Sequence, residues 1–287
     1  MTKDAVPGGS IVVGVDGSEH GERALAWAVD QALTAKRHLA IVHCAGHSEP
    51  PGVLTEAARD AMFLAGDADL LMSVHRIEDD PRDAFTDLSR HASLIVLGSR
   101  GLGAVRSILL GSVSAAVTRA AECPVVVCRP TELSPEPRVV VGCDGGPESA
   151  PVLEFAFEQA SLHGWPLTVM HCFWDVMAAT TGQGRVTSAA DDGLDDLRLL
   201  LAESVAGLAE KYPDVEVTRE LARGLVDQCL SGRSLDATLL VIGRSEPTAV
   251  DRVLYSSCAL AVLERADTTV AVVPETLSRG THDEPTH

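Results

Sequence analysis

The chain contains itself twice. The stretch "IVVGVDGSEHGERALAWAVDQA" at 11–32 returns as "VVVGCDGGPESAPVLEFAFEQA" at 139–160, and "LAIVHCAG" at 39–46 returns as "LTVMHCFW" at 167–174, both displaced by 128 positions. Further along, "ASLIVLGSRG" (92–101) matches "ATLLVIGRSE" (237–246), and "CPVVVCRP" (123–130) matches 267–275, now displaced by 145. The first copy therefore lacks 17 residues between His43 and Ala92. A duplication on this scale divides 287 residues into two units of ordinary domain size.

Each copy alternates short β-branched apolar runs with longer amphipathic stretches, the pattern of βαβ units and a parallel sheet. In the first copy the strands are expected near 10–15, 39–45, 70–77, 93–97 and 124–128. Between the first two, Ala24, Leu25, Ala28, Val29, Ala32 and Leu33 form a helical stripe. Runs that are apolar throughout, such as "LIVLG", imply burial on both faces. With 46% hydrophobic and only 3% aromatic residues, the core must be built from Val, Leu, Ile and Ala, which suits a helix-covered sheet better than a sandwich. The expected fold is α/β: two tandem doubly wound domains, each with a five-stranded parallel, Rossmann-like sheet. Domain one is expected over 1–131, domain two over 132–275, and a disordered polar tail over 276–287. "RPTELSPEPR" at 129–138, with three prolines, reads as the linker.

Net charge is −18, with 12 Lys and Arg against 17 Asp and Glu in residues 1–132 and 11 against 24 beyond. No basic stripe exists, so nucleic acid is not an expected partner. No stretch approaches the length of a membrane span and the N-terminus has no apolar leader run, so a soluble cytoplasmic protein with no membrane partner is expected. Seven cysteines without a C-x-x-C mostly sit in or beside apolar runs, where a structural role is expected.

The chemistry concentrates in "GSRGLGAVRSILLGSVS" at 98–114, a glycine loop that follows a buried strand and opens a helix. In an open parallel sheet, ligands sit at the carboxyl ends of strands where the winding reverses. Gly98 and Gly101 are expected to turn with positive φ and to let the backbone approach a ligand. Gly111 precedes a helix with Ser112 as the expected N-cap and Val113, Ala116, Val117 and Ala120 facing the core. Free amides at such a helix start bind anions without help from net charge, and Arg100 adds a cation at the rim. Neither G-x-G-x-x-G after the first strand nor G-x-x-x-x-G-K-[ST] is present, which disfavours a classical dehydrogenase or P-loop NTPase. Nor is there a Ser–His–Asp signature, an H-E-x-x-H or an acidic pair with metal spacing, so no catalytic set and no metal site is assigned.

"IVVGVDGS", then "GSRGLGAVRSILLGSVSAAV", then "CPVVVCRP" resemble the universal stress protein family, over nearly all of 8–275 as two copies. Its ATP-binding members carry G-x2-G-x9-G-[ST], which Gly98, Gly101 and Gly111–Ser112 match without a gap; the tandem form resembles the two-domain proteins of actinobacteria. The resemblance implies ATP, or AMP as the alternative, with Mg2+ only as a companion of ATP, and a stress-response regulator with little or no turnover. It also implies site residues. Gly14 and Asp16 lie at the end of the first strand, with Asp16 beside base and ribose, and a plain turn role for Asp16 remains the alternative. Cys44 flanks the adenine, and Gly98, Ser99, Arg100, Gly101, Gly111, Ser112, Val113 and Ser114 hold phosphates and ribose. His43 and His171 are read as structural.

The second copy keeps Asp144, Gly145 and Gly243 but has Glu246 in place of Gly101 and Ser256–Ser257 in place of Gly111–Ser112. A carboxylate about 4 Å from a phosphate repels it by roughly 4 kcal/mol per unit charge at an effective dielectric near 20. Asp144, Gly243 and Ser257 are thus a residual second site at most. The shortened first copy is expected to have a short second helix that leaves its pocket thinly walled. A scaffold that binds an unknown protein partner and has lost nucleotide is the competing reading. The apolar last strands are expected to pair within the chain as a pseudo-dimer, with a homodimer of whole chains as a further option.

Overall fold

The computed structural model describes residues 6–45, 52–101, 110–130, 136–174, 185–186, 193–244 and 258–275. The linker residues 131–135, the tail 276–287, Gly103, Glu246 and Ser256–Ser257 lie outside them. In domain one the elements run β1 (Ile11–Gly14), α1 (Glu19–Ala35), β2 (Leu39–Cys44), α2 (Val53–Ala65), β3 (Met72–Ile77), α3 (Pro81–Leu88), β4 (Leu94–Gly98), α4 (Ser112–Ala120) and β5 (Val125–Cys128). Domain two repeats them as β6 (Val139–Gly142), α5 (Ala150–His163), β7 (Leu167–Phe173), a short β8 (Arg185–Val186), α6 (Asp195–Lys211), β9 (Val217–Arg223), α7 (Val226–Arg233), β10 (Leu239–Arg244), α8 (Cys258–Arg265) and β11 (Thr269–Pro274).

The eleven strands among the described residues form one sheet in the order β3-β2-β1-β4-β5-β11-β10-β6-β7-β9-β8. Each half is parallel, apart from the short β8 that pairs antiparallel with β9, and reverses its winding once, between β1 and β4 and again between β6 and β10. The halves meet where β5 and β11 pair antiparallel, Val127 opposite Val270 and Val125 opposite Val272. Strands Val–Ile–Leu throughout can be buried on both faces because helices cover both. Helices α1, α2, α5 and α6 pack over one face and α3, α4, α7 and α8 over the other, and each core layer runs unbroken through both domains. The α1 stripe behaves as its spacing predicts, with Ala24, Leu25, Ala28, Val29 and Ala32 buried.

Three expectations change. In α4 Ala120 is exposed while Thr118 and Ala121 are buried, so the inward face is turned from the one the apolar spacing suggests. The N-cap of α4 is Gly111, and Ser112 is its first, exposed residue. The second helix of domain one has 13 residues against 17 for α6, so most of the missing residues come from the connection before the helix, the region that supplies β8 in domain two.

Two arginines fasten the halves across the seam. The Arg244 guanidinium donates to Thr118 O (2.9 Å) and Ala121 O (2.6 Å), satisfying the last turn of α4 in the other domain. Arg129 donates in the opposite sense to Leu263 O on α8. Thr118 and Leu263 are repeat-equivalent, 145 positions apart, so each terminal helix is capped by the other domain.

Replacing Arg244 by Ala is expected to lower unfolding free energy by about 2–4 kcal/mol, because two buried carbonyls lose charge-assisted donors. Arg244→Lys should recover only part of it, since an ammonium lacks the planar fork. Denaturant titration of the three proteins measures the effect.

Candidate functional site

The reversal between β1 and β4 puts two loops side by side at the carboxyl ends of their strands. From β1, Asp16 and Gly17 make the turn into α1; Gly17 has φ 79°, a conformation glycine takes without strain. The Asp16 carboxylate accepts from Ser18 N (3.0 Å) and from Ser18 Oγ (2.6 Å). Ser18 Oγ in turn caps α1 by accepting from Gly21 N. The acid is therefore held rigidly at the mouth of the crevice.

From β4, Gly98 and Gly101 enter the second loop, and neither has positive φ. Their lack of a side chain serves close approach instead. A Cβ on Gly98 would lie 2.7 Å from the backbone carbon and oxygen of His20, and one on Gly101 would lie 2.5 Å from Asp16 Oδ2. Gly111, at φ −69°, has Arg100 Cα and Ser99 O at 3.4 Å from its would-be Cβ. The loop is closed at its base by Gly111 N donating to Ser99 O (2.7 Å) and by Ser114 Oγ donating to Gly98 O (2.7 Å).

The structure thus brings together Asp16, Gly98, Ser99, Arg100, Gly101, Gly111, Ser112 and Ser114. Ser99 and Ser114 are buried, and their hydroxyls are engaged with His20 Nδ1 (3.2 Å) and Gly98 O respectively, so both shape the loop. Val113 packs on the core layer beneath α4, and Cys44, half-buried at the end of β2, packs against the same layer. Gly14 stands apart: its would-be Cβ meets Leu97 and Phe85 at 2.7 Å, so it makes room for α3 packing rather than for the crevice. His43 and His171 bond equivalent carbonyls, Val15 O at 2.7 Å and Cys143 O at 3.0 Å, which ties each second strand to the turn after the first.

Beyond Arg100, sequence reasoning missed the basic residues around the loop. His20 sits on Gly98, and burial, with the Arg100 and Arg23 charges next, holds its imidazole below the ordinary histidine range. Arg100 Nε and Arg23 Nη1 are buried and find no acceptor among the described residues. Arg129, at the end of β5, feels Arg100 closely enough for the two charges to oppose each other. No side chain among the described residues caps α4, in contrast to the Ser18 cap of α1 and the Asp80 cap of α3. The first-turn amides of Ser112, Val113 and Ser114 therefore lack intrahelical acceptors. The signal available in the sequence was position: His20 directly after the capped turn, and Arg129 directly after an apolar strand.

In domain two the equivalent crevice is filled. Asp144 keeps the turn geometry, accepting from Gly146 N at 2.8 Å and from Ser149 Oγ. Gly145 repeats the left-handed turn at φ 83°, but the Leu200 side chain from α6 lies 2.6 Å from its would-be Cβ. A Cβ on Gly243 would lie 2.8 Å from Glu275 Oε1, where domain one has Pro130. Ser257 lies outside the described residues. A separate cavity of about 360 Å³ opens at the other, amino ends of the strands, between α1 and α5, away from both glycine loops. Among the described residues no cluster of His, Cys, Asp or Glu fits a metal ion, and no helix is long and apolar enough to cross a membrane.

A five-stranded parallel sheet, duplicated and joined at its edge, with a glycine loop at the point of reversal, defines a class of small doubly wound α/β domains. The universal stress protein family model matches residues 9–129 and 137–274, and the chain belongs to that family. Universal stress protein Rv2005c of Mycobacterium tuberculosis is 33% identical over 286 residues, covering 91% of this chain and 96% of its own length. Among solved structures, a universal stress protein from Archaeoglobus fulgidus superposes with a TM-score of 0.65 at 20% identity, covering 93% of this chain and 98% of that one. A universal stress protein solved in complex with cAMP is 25% identical over 42% of this chain and 97% of its own, with a TM-score of 0.32.

Because the folded state disfavours the protonated form of His20, the unfolded chain binds more protons below about pH 6.5. The contribution of His20 to stability is thus complete above that value and is lost as pH falls toward the depressed folded pKa. Melting temperature is expected to decline between about pH 6.5 and 5, and less steeply in His20→Asn, as followed by calorimetry.

Proposed function

We propose that domain one binds an adenine nucleotide, ATP in the first instance and AMP as the alternative, and that the protein is a cytoplasmic stress-response regulator rather than a rapid catalyst. The observation that carries this reading is a set of donors without acceptors in one loop: Arg100 Nε, buried and unpaired among the described residues, and the uncapped first turn of α4. Backbone amides at a helix start, reached past positions that carry no Cβ, are suited to phosphate oxygens. Arg129 adds positive potential at the same loop. The Asp16 carboxylate, fixed by Ser18, is placed to accept from ribose hydroxyls or to meet a Mg2+ that arrives with ATP.

Domain two is assigned a structural role in this reading. Leu200 occupies the space over its acidic turn, and Glu275 sets a negative charge at its first loop glycine. A partner-binding role is the second reading, favoured by the exposed Met62, Phe63, Leu64 and Leu71 on and after α2.

Calorimetric titration with ATP is expected to give one site per chain. Gly101→Glu should weaken it by roughly a thousandfold, the equivalent of about 4 kcal/mol of charge repulsion, while circular dichroism stays unchanged. Two equal sites per chain, or a Gly101→Glu protein that binds as well as the parent, would refute the assignment. Chromatography of whatever denaturation releases from the purified protein identifies the nucleotide.

A further inference from the structure

Domain two collects three thiols where domain one has one. Cys172 ends the apolar part of β7, Cys229 lies on the sheet-facing side of α7, and Cys258 begins α8. The repeat-equivalent positions in domain one are Cys44, Ala84 and Val113. The side chains converge because α7 packs on both β7 and α8 within a single apolar layer, in which Cys229 is buried and Cys172 and Cys258 are half-buried. Cys172 and Cys229 thus neighbour each other on β7 and α7, and Cys258 on α8 packs against the same layer. The other buried cysteines, Cys123, Cys128 and Cys143, belong to other parts of the two cores.

We propose that Cys172 and Cys229 form a peroxide-reactive dithiol, oxidised reversibly to an intramolecular disulfide, with Cys258 as the third thiol beside it. The neighbouring Cys172 holds the Cys229 thiol below the ordinary range while its own is pushed up, so Cys229 is assigned as the attacking sulfur. Burial of Cys229 and the nearby Asp227 carboxylate, paired to Arg265, work against its ionisation and keep the site from being indiscriminately reactive. The Cys229 thiolate displaces water from hydrogen peroxide, or an alcohol from an organic hydroperoxide, taking up one proton and becoming a sulfenic acid. The Cys172 sulfur then attacks the sulfenic sulfur, losing its proton, and a second water leaves as the S–S bond forms. Two thiols and one peroxide thus give one disulfide and two waters, and a reducing dithiol reverses the change. The bond would pin α7 to the end of β7 at the carboxyl edge of domain two.

The test uses the full reduced chain exposed to hydrogen peroxide, alkylated, digested and read by mass spectrometry. The expected result is a peptide pair joined through Cys172 and Cys229, lost on treatment with dithiothreitol. Thiol consumption at this pair should be about tenfold or more faster than at Cys128, which is buried and whose pKa is pushed up. Cys229→Ala should abolish the linked peptide, while Cys143→Ala, a buried thiol outside the pair, should retain it. Links confined to other cysteines or to pairs of chains overturn the proposal, as does oxidation of Cys229 to sulfinic acid with Cys172 still alkylated. The parent protein alone decides between these outcomes if a variant fails to fold.

Discussion

The structure depends on one antiparallel contact between two valine-rich edges. Either half alone would present β5 or β11 as an open, apolar sheet edge, a template for association. Pairing Val125–Val127 with Val270–Val272 removes both edges at once and makes eleven strands into a single sheet. The reciprocal arginine caps follow from this geometry, because the antiparallel seam carries the terminal helix of each half to the strand ends of the other. The outer edge of domain two is covered by β8, whereas β3 is the outermost strand of domain one.

The seam also explains how the two crevices could diverge. Strand order is conserved between the halves, so each has a winding reversal and each retains an acidic turn with a left-handed glycine, Gly17 and Gly145. What differs is the packing above those turns. In domain one α2 begins at Val53, whose methyl lies 3.3 Å from the would-be Cβ of Gly17, and Arg100 Nε beside the crevice finds no acceptor among the described residues. In domain two the longer α6 sends Leu200 over the turn and Glu275 follows β11. The position after the loop glycine has also been diverted, since Arg244, repeat-equivalent to Ser99, now serves the interface.

The layer architecture was legible because repeat offsets and apolar periodicity are local signals. The five expected strands of domain one lie within a few residues of β1 to β5, and the α1 stripe is buried as its spacing requires. The glycine loop was legible as a motif, but the reason for its glycines was not. Gly98 and Gly101 were expected to need left-handed backbone; they need clearance from His20 and Asp16, residues about 80 positions away in the chain. Ser112 was expected to cap α4, yet Gly111 holds that place because Ser114 instead reaches back to Gly98. Capping preferences describe an isolated helix start, and here the loop closes on itself first.

By itself the sequence determined the duplication, the alternation of strand and helix, the position of the glycine loop and the family to which these belong, because each is written in residue types at short, regular spacing. Only the tertiary structure decided that the halves share one sheet, that Arg129 and Arg244 cap helices across it, that Gly14 serves packing, and that Leu200 and Glu275 fill the second crevice. It also brought Cys172, Cys229 and Cys258 together from three separate elements. Such decisions rest on contacts between residues scores of positions apart, and no local pattern specifies which of many apolar or charged side chains will meet.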